Sequence, residues 1–153
     1  MKLLFSILIA QLAGLVGSFF TVSSVKSWYL TINKPSWNPP GWLFGPVWIT
    51  LYTLMGIASY LVWQKRDVNS NVKAALAVYG VHLAMNALWS ILFFGLKNPG
   101  LAFIEILGLL FFIVLTMVMF YKVKPVTFWF LLPYLLWVSF ASALNFTIWR
   151  LNR

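Results

Sequence analysis

The side chains in this sequence that could do chemistry are few, and most are aromatic. One histidine, His82, and two carboxylates, Asp67 and Glu105, stand beside nine tryptophans, six tyrosines and fourteen phenylalanines. With no cysteine, thiol catalysis, disulfides and Cys-ligated metals are excluded. Serine, histidine and acid are present, but no nucleophile-elbow motif accompanies them. His82 as a haem ligand would lack a second ligand and an attachment motif; a neutral histidine bonded to a neighbouring helix fits better. No cofactor or metal is expected, and one carboxylate in an apolar setting is a thin basis for a proton-coupled pump. What remains is stacking chemistry. Trp48 and Tyr52 lie four apart, Asn86, Trp89 and Ser90 fall within about one turn, and Trp137, Ala141 and Asn145 follow at i, i+4 and i+8. Flat indole faces with a few amides among them suit the binding of a flat, apolar molecule.

The elements that must position these groups are membrane helices. The chain of 153 residues is 62% hydrophobic and 8% charged, with a mean hydropathy of +0.89, which excludes an ordinary soluble domain. Five apolar runs, near 3–25, 41–63, 72–96, 101–121 and 126–149, are each long enough to cross a hydrocarbon core of about 30 Å. The fold class is therefore all-α, a single five-helix transmembrane domain over 1–153. The first run is longer than a signal-peptide core and lacks a clean cleavage site, so it is read as a retained helix. Ala10, Gly14 and Ser18 on one face, with Ala13 and Gly17 beside it, are read as close helix contacts without a part in chemistry. Short links make consecutive helices antiparallel neighbours.

The formal charge of +9 comes from eleven basic residues set between the apolar runs rather than in one patch. That distribution fits anionic lipid headgroups and argues against nucleic acid. Lys2, Lys65, Arg66, Lys73, Lys122 and Lys124 share one face, and Lys26, Lys34, Lys97, Arg150 and Arg153 the other. Six against five is no clear bias; the free amino terminus on the first face tips the expectation to an amino terminus on the inner side of a bacterial cell membrane and the long loop outside.

That loop, 26–40, is the main interruption. Pro35, Pro39 and Pro40 fix φ and remove donors, so no helix runs through it, and Trp37 and Trp42 flank its polar residues. Lys34, Pro35, Trp37, Pro39 and Pro40 are expected to form a lid. Counting ~1.5 Å per residue, Trp48, Tyr52, Asn86, Trp89, Ser90, Phe93, Glu105 and the Trp137 stripe reach overlapping depths beneath it. Trp28, Trp63, Trp129 and Trp149 fit an interfacial belt, whereas Trp137, about twelve residues from either helix end, does not. Asn86 and Asn145 suit an interhelical hydrogen bond and a ligand contact equally well. Glu105 is expected to be solvated or hydrogen-bonded rather than a general acid.

Lys34-Pro-Ser-Trp-Asn-Pro-Pro-Gly-Trp with Gly45-Pro-Val-Trp48 and Tyr52, the Asn86 and Trp89 pair, and Trp137-x-x-Phe-Ala141-x-x-Leu-Asn145-x-x-Ile-Trp149 resemble the translocator protein / tryptophan-rich sensory protein (TspO/MBR) family over essentially the whole chain. The resemblance implies a five-helix bundle, commonly a homodimer, that binds porphyrins and related flat hydrophobic ligands under the first loop. It implies Trp48, Tyr52, Asn86, Trp89, Trp137, Ala141 and Asn145 as pocket residues. It also matches Trp28 and Trp137 to tryptophans implicated in light-dependent porphyrin breakdown by bacterial members. The function expected is thus a receptor or carrier for a tetrapyrrole, with porphyrin degradation and a ligand-free scaffold as alternatives. The carboxylates of such a ligand could meet Lys34, which fits a solvated headgroup contact equally well. Phe146 stands where the eukaryotic sterol pattern needs a tyrosine, which counts against a sterol ligand.

Overall fold

The computed structural model describes residues 2–153. Five long helices, α1 (Lys2–Val25), α3 (Gly41–Trp63), α4 (Val72–Ser90), α5 (Pro99–Val123) and α6 (Thr127–Leu151), form the bundle, and a short helix, α2 (Trp28–Thr31), lies in the long loop. The five long elements have the length and composition of membrane spans, α4 being prolonged by a π-helical turn over Ile91–Gly95. Hydrophobicity all round each of them is what lipid permits, since the bilayer is as apolar as the core. Pro40 precedes α3 in extended conformation, and Asn98 caps α5 by accepting from the Leu101 N–H at 3.0 Å, with Pro99 opening the helix. The short link Asn98-Pro99-Gly100 is therefore the start of a helix.

Going round the bundle, α1 packs on α3, α3 on α6, α6 on α5, α5 on α4, and α4 back on α1. The expectation that all consecutive helices are neighbours fails at one step: α3 and α4 face each other only weakly, because the turn from Gln64 to Asn71 is long enough to cross the end of the bundle. The small residues of α1 explain its place. A Cβ on Gly56 of α3 would come within 2.5 Å of the Ile7 Cα, so the two backbones touch there.

The half of the bundle remote from the long loop is filled. Met55, Ala58, Val62, Ala75, Ile113, Phe120 and Leu131 are all buried in one cluster. The half beneath the loop is not.

Candidate functional site

At the loop side the helices stand apart around a cavity of about 470 Å³, the size of a pocket for a drug-sized ligand. Its walls are aromatic. Trp48 stacks on Tyr52 with centroids 5.6 Å apart, Trp89 stacks on Phe93 at 5.1 Å, and Trp137 lies between Phe44 at 6.1 Å and Phe140 at 5.6 Å. The π-helical turn helps to build this wall. Its wider ring, closed by Leu96 N–H to Ile91 O at 2.7 Å, carries both Phe93 and Phe94 to the cavity, and the Phe94 carbonyl accepts from Ser24 Oγ of α1 at 2.6 Å.

Of the residues expected from sequence, the cavity brings together Trp48, Tyr52, Trp89, Ser90, Trp137, Ala141 and Asn145. Asn86 lies a layer lower, where it borders a much smaller void with Trp48, Trp89 and Ala141. Both asparagines are engaged between helices. Asn145 accepts from the Trp89 indole N–H at 2.9 Å and donates to the Pro99 carbonyl at 2.7 Å. Asn86 accepts from the Tyr52 hydroxyl and donates to Tyr134 Oη at 2.6 Å. Tyr134 in turn meets His82 Nε2 at 3.1 Å, and His82 Nδ1 lies 2.9 Å from the Tyr79 carbonyl. A carbonyl only accepts, so His82 carries its proton on Nδ1 and accepts a hydrogen bond from the Tyr134 hydroxyl at Nε2. Four side chains from α3, α4 and α6 thus form one directional chain running from the cavity floor into the filled half.

Glu105 departs from its expected setting. Both its carboxylate oxygens are buried without a hydrogen-bond partner among the described residues, and it does not line the cavity. It shares a helix face with Gly108, where an added Cβ would touch Met85 of α4, so its side is turned to a helix rather than to the surface. Trp137 also keeps a buried indole N–H with no partner.

Lys34, Pro35, Trp37, Pro39 and Pro40, expected as a lid, do not line the cavity; the contacts of Lys34 and Trp37 fix the loop. Trp37 packs edge-on against Phe140, a wall residue, at 5.7 Å. Lys34 Nζ donates to the carbonyls of Tyr29 at 2.5 Å and Ile32 at 3.0 Å and sits 4.9 Å from the centroid of the Tyr29 ring. Its charge therefore terminates the short helix. Tyr29 donates to Asn38 Oδ1 at 2.7 Å, and burial pushes its phenol pKa up, which keeps the proton for that bond. Asn33 is clasped to the end of α6: its N–H donates to Asn152 Oδ1 at 2.9 Å and its carbonyl accepts from Asn152 Nδ2 at 2.8 Å. Pro39 and Pro40 lead directly into α3. Trp28 packs edge-on against Phe93 at 5.8 Å, outside the cavity lining and apart from Trp137.

Sequence reasoning missed the contribution of α1. Gln11, Gly14, Gly17, Ser18, Thr21 and Lys26 all reach the cavity. The small residues do pack closely, as expected: a Cβ at Gly14 would lie 2.5 Å from the Tyr52 ring and one at Gly17 2.9 Å from Ser90 Oγ. They are wall and contact at once. Their spacing was legible as a helix contact, but nothing in it told which helix would be met or that a cavity lay beside it.

Comparison with known proteins shows the family. Residues 6–150 match the TspO/MBR family. The chain belongs to that family. The tryptophan-rich protein TspO of Archaeoglobus fulgidus is 47% identical over 153 residues, covering 99% of this chain and 97% of the relative. The human translocator protein is 39% identical over 143 residues, covering 93% and 85%. The tryptophan-rich sensory protein of Cereibacter sphaeroides is 38% identical over 125 residues, covering 82% and 77%. As a TspO/MBR member the chain is a multi-pass integral membrane protein, and the Pro-Trp loop and Trp137 stripe that carried the resemblance fall at the cover and wall of its cavity.

Proposed function

We propose that this protein is a membrane receptor or carrier for a flat, largely apolar heterocycle of the tetrapyrrole kind, held in the cavity beneath the loop. The observation that carries the reading is the cavity wall. Trp48, Trp89 and Trp137 come from three helices, and each presents an indole to one space otherwise lined mainly by apolar groups. Rings fit such a site better than flexible chains, because stacking surfaces are rigid and lose little entropy on binding. The lid supports the same reading: its prolines limit the freedom lost on closing.

The test is an equilibrium titration of tryptophan fluorescence with a porphyrin, in lipid nanodiscs. Quenching that saturates is expected. Trp137→Phe should keep most of the affinity, and Trp137→Ala should lose ~1–3 kcal/mol, the scale seen for bases stacked on aromatic side chains. No saturable quenching would favour a ligand-free scaffold instead.

A second reading, light-dependent degradation of the bound porphyrin, is supported by Trp137 alone. Its indole stands in the wall, whereas Trp28 lies behind Phe93. In that case Trp137→Phe would bind yet no longer bleach porphyrin absorbance under illumination, and wild type would bleach it in light but not in darkness.

A further inference from the structure

We propose that Lys26 selects ligands with an acidic edge, pairing with a carboxylate at the cavity mouth while the apolar body lies among the indoles; this rests on the reading of the cavity as a heterocycle site. Lys26 is the one charged residue among the described residues that line the cavity. It follows the last residue of α1, at headgroup depth, and its side chain is exposed, with no hydrogen bond or ion pair to any described residue. A lysine there lays its methylenes along the apolar rim and holds its ammonium in the interface.

The other cations of that face are not available in the same way. Lys34 is bonded to two carbonyls, and Arg153 lies over the Trp149 ring at 5.3 Å. Lys97 and Arg150 are exposed but do not border the cavity. No acidic side chain offsets the charge. Asp67 pairs with Arg66 at the opposite face, and Glu105 is turned away from the cavity. The mouth is therefore positive and the interior apolar, a polarity complementary to a flat molecule with an anionic end. The carboxylate of a heterocycle and the phosphate of a lipid share this chemistry, and the first is the ligand proposed.

The experiment compares a porphyrin dicarboxylic acid with its dimethyl ester by fluorescence titration in nanodiscs of zwitterionic lipid. Both are measured against wild type, Lys26→Gln, Lys26→Glu and Lys34→Gln. The acid-to-ester affinity ratio in each variant, divided by that of wild type, cancels the partition of each compound into lipid. Relative to wild type the ratio should fall about fivefold in Lys26→Gln, the scale of one lysine near an interface, with the thermal midpoint unchanged, and it should fall further in Lys26→Glu. Lys34→Gln should leave the ratio as in wild type.

A ratio that survives in Lys26→Gln, or one that vanishes only in Lys34→Gln, overturns the proposal while the heterocycle site stands. Absence of binding by both compounds overturns the site itself. Adding phosphatidylglycerol to the nanodisc separates the two anion sources. Loss of the acid's advantage alone supports a carboxylate contact at Lys26, and displacement of acid and ester alike makes the cavity a lipid site and overturns it.

Discussion

On the loop side of the bundle a Cβ placed on Gly45 would meet nothing within 4 Å; on the other side one placed on Gly56 would strike the backbone of Ile7 at 2.5 Å. Both halves are largely apolar, and the difference lies in which side chains stand between the helices. Aliphatic and small side chains such as Met55, Ala58, Val62 and Ala75 interdigitate and let backbones close up. Wide, rigid rings such as Trp48, Trp89 and Trp137, braced edge to face by Tyr134, Phe94 and Phe44, stop the helices from closing. A membrane protein can thus hold open a largely apolar cavity, because its walls are too stiff to collapse into it.

The contrast can be broken from the filled side with the largest effect. Gly56→Leu should push α1 off α3, at or beyond the upper end of the ~1–3 kcal/mol typical of overpacking, because the obstruction is backbone. Thermal unfolding in detergent should show a large fall in midpoint, while Gly45→Ala leaves the midpoint near that of wild type. At the boundary between the halves, Tyr134→Phe removes a hydroxyl bonded to both Asn86 and His82. It should cost about 1–3 kcal/mol for the polar groups left unpaired, read as a lower midpoint in the same assay.

On the hollow side the signature reverses, with binding changing and stability not. Ala141 borders both the cavity and the small void below it. Ala141→Leu should weaken porphyrin binding in the quenching titration and leave the midpoint of the empty protein nearly unchanged. A midpoint that falls in step with affinity would assign Ala141 to helix packing instead. The smallest effect belongs to the cover. Replacing Pro39 and Pro40 by glycine should weaken binding by about 0.4–1 kcal/mol per residue through the freedom regained by the loop, with helical content by circular dichroism unchanged.

The five spans, the proline-broken loop and most of the wall residues could be read from sequence, because each depends on local signals: runs of apolar residues, prolines, and side chains repeating every turn. Trp137 was singled out by its depth and by its spacing with Ala141 and Asn145, and it does stand in the wall. The order of helices round the bundle could not be read. In lipid the outside of a helix is as apolar as its inside, so no stripe marks which face meets which neighbour, and the weakness of the contact between α3 and α4 left no trace. The same ambiguity hid the contribution of α1 to the cavity. The short helix at Trp28–Thr31 and the π-helical turn at Ile91–Gly95 depend on contacts that sequence does not display, Lys34 with two carbonyls and Ser24 with Phe94. The engagement of Lys34 could not be foreseen either, since a lysine in a polar loop ordinarily meets water or headgroups.

The chain from Tyr52 through Asn86 and Tyr134 to His82 ends on the sole histidine of the protein. Hydrogen bonds in series polarise one another, so a change at the first member is felt at the last. A ligand that pulls on the Tyr52 hydroxyl would alter the electron density at His82 Nε2 without touching it. In a protein labelled with nitrogen-15 at histidine, that imidazole is the only one present, and its resonance would report the occupancy of the cavity from within the filled half of the bundle.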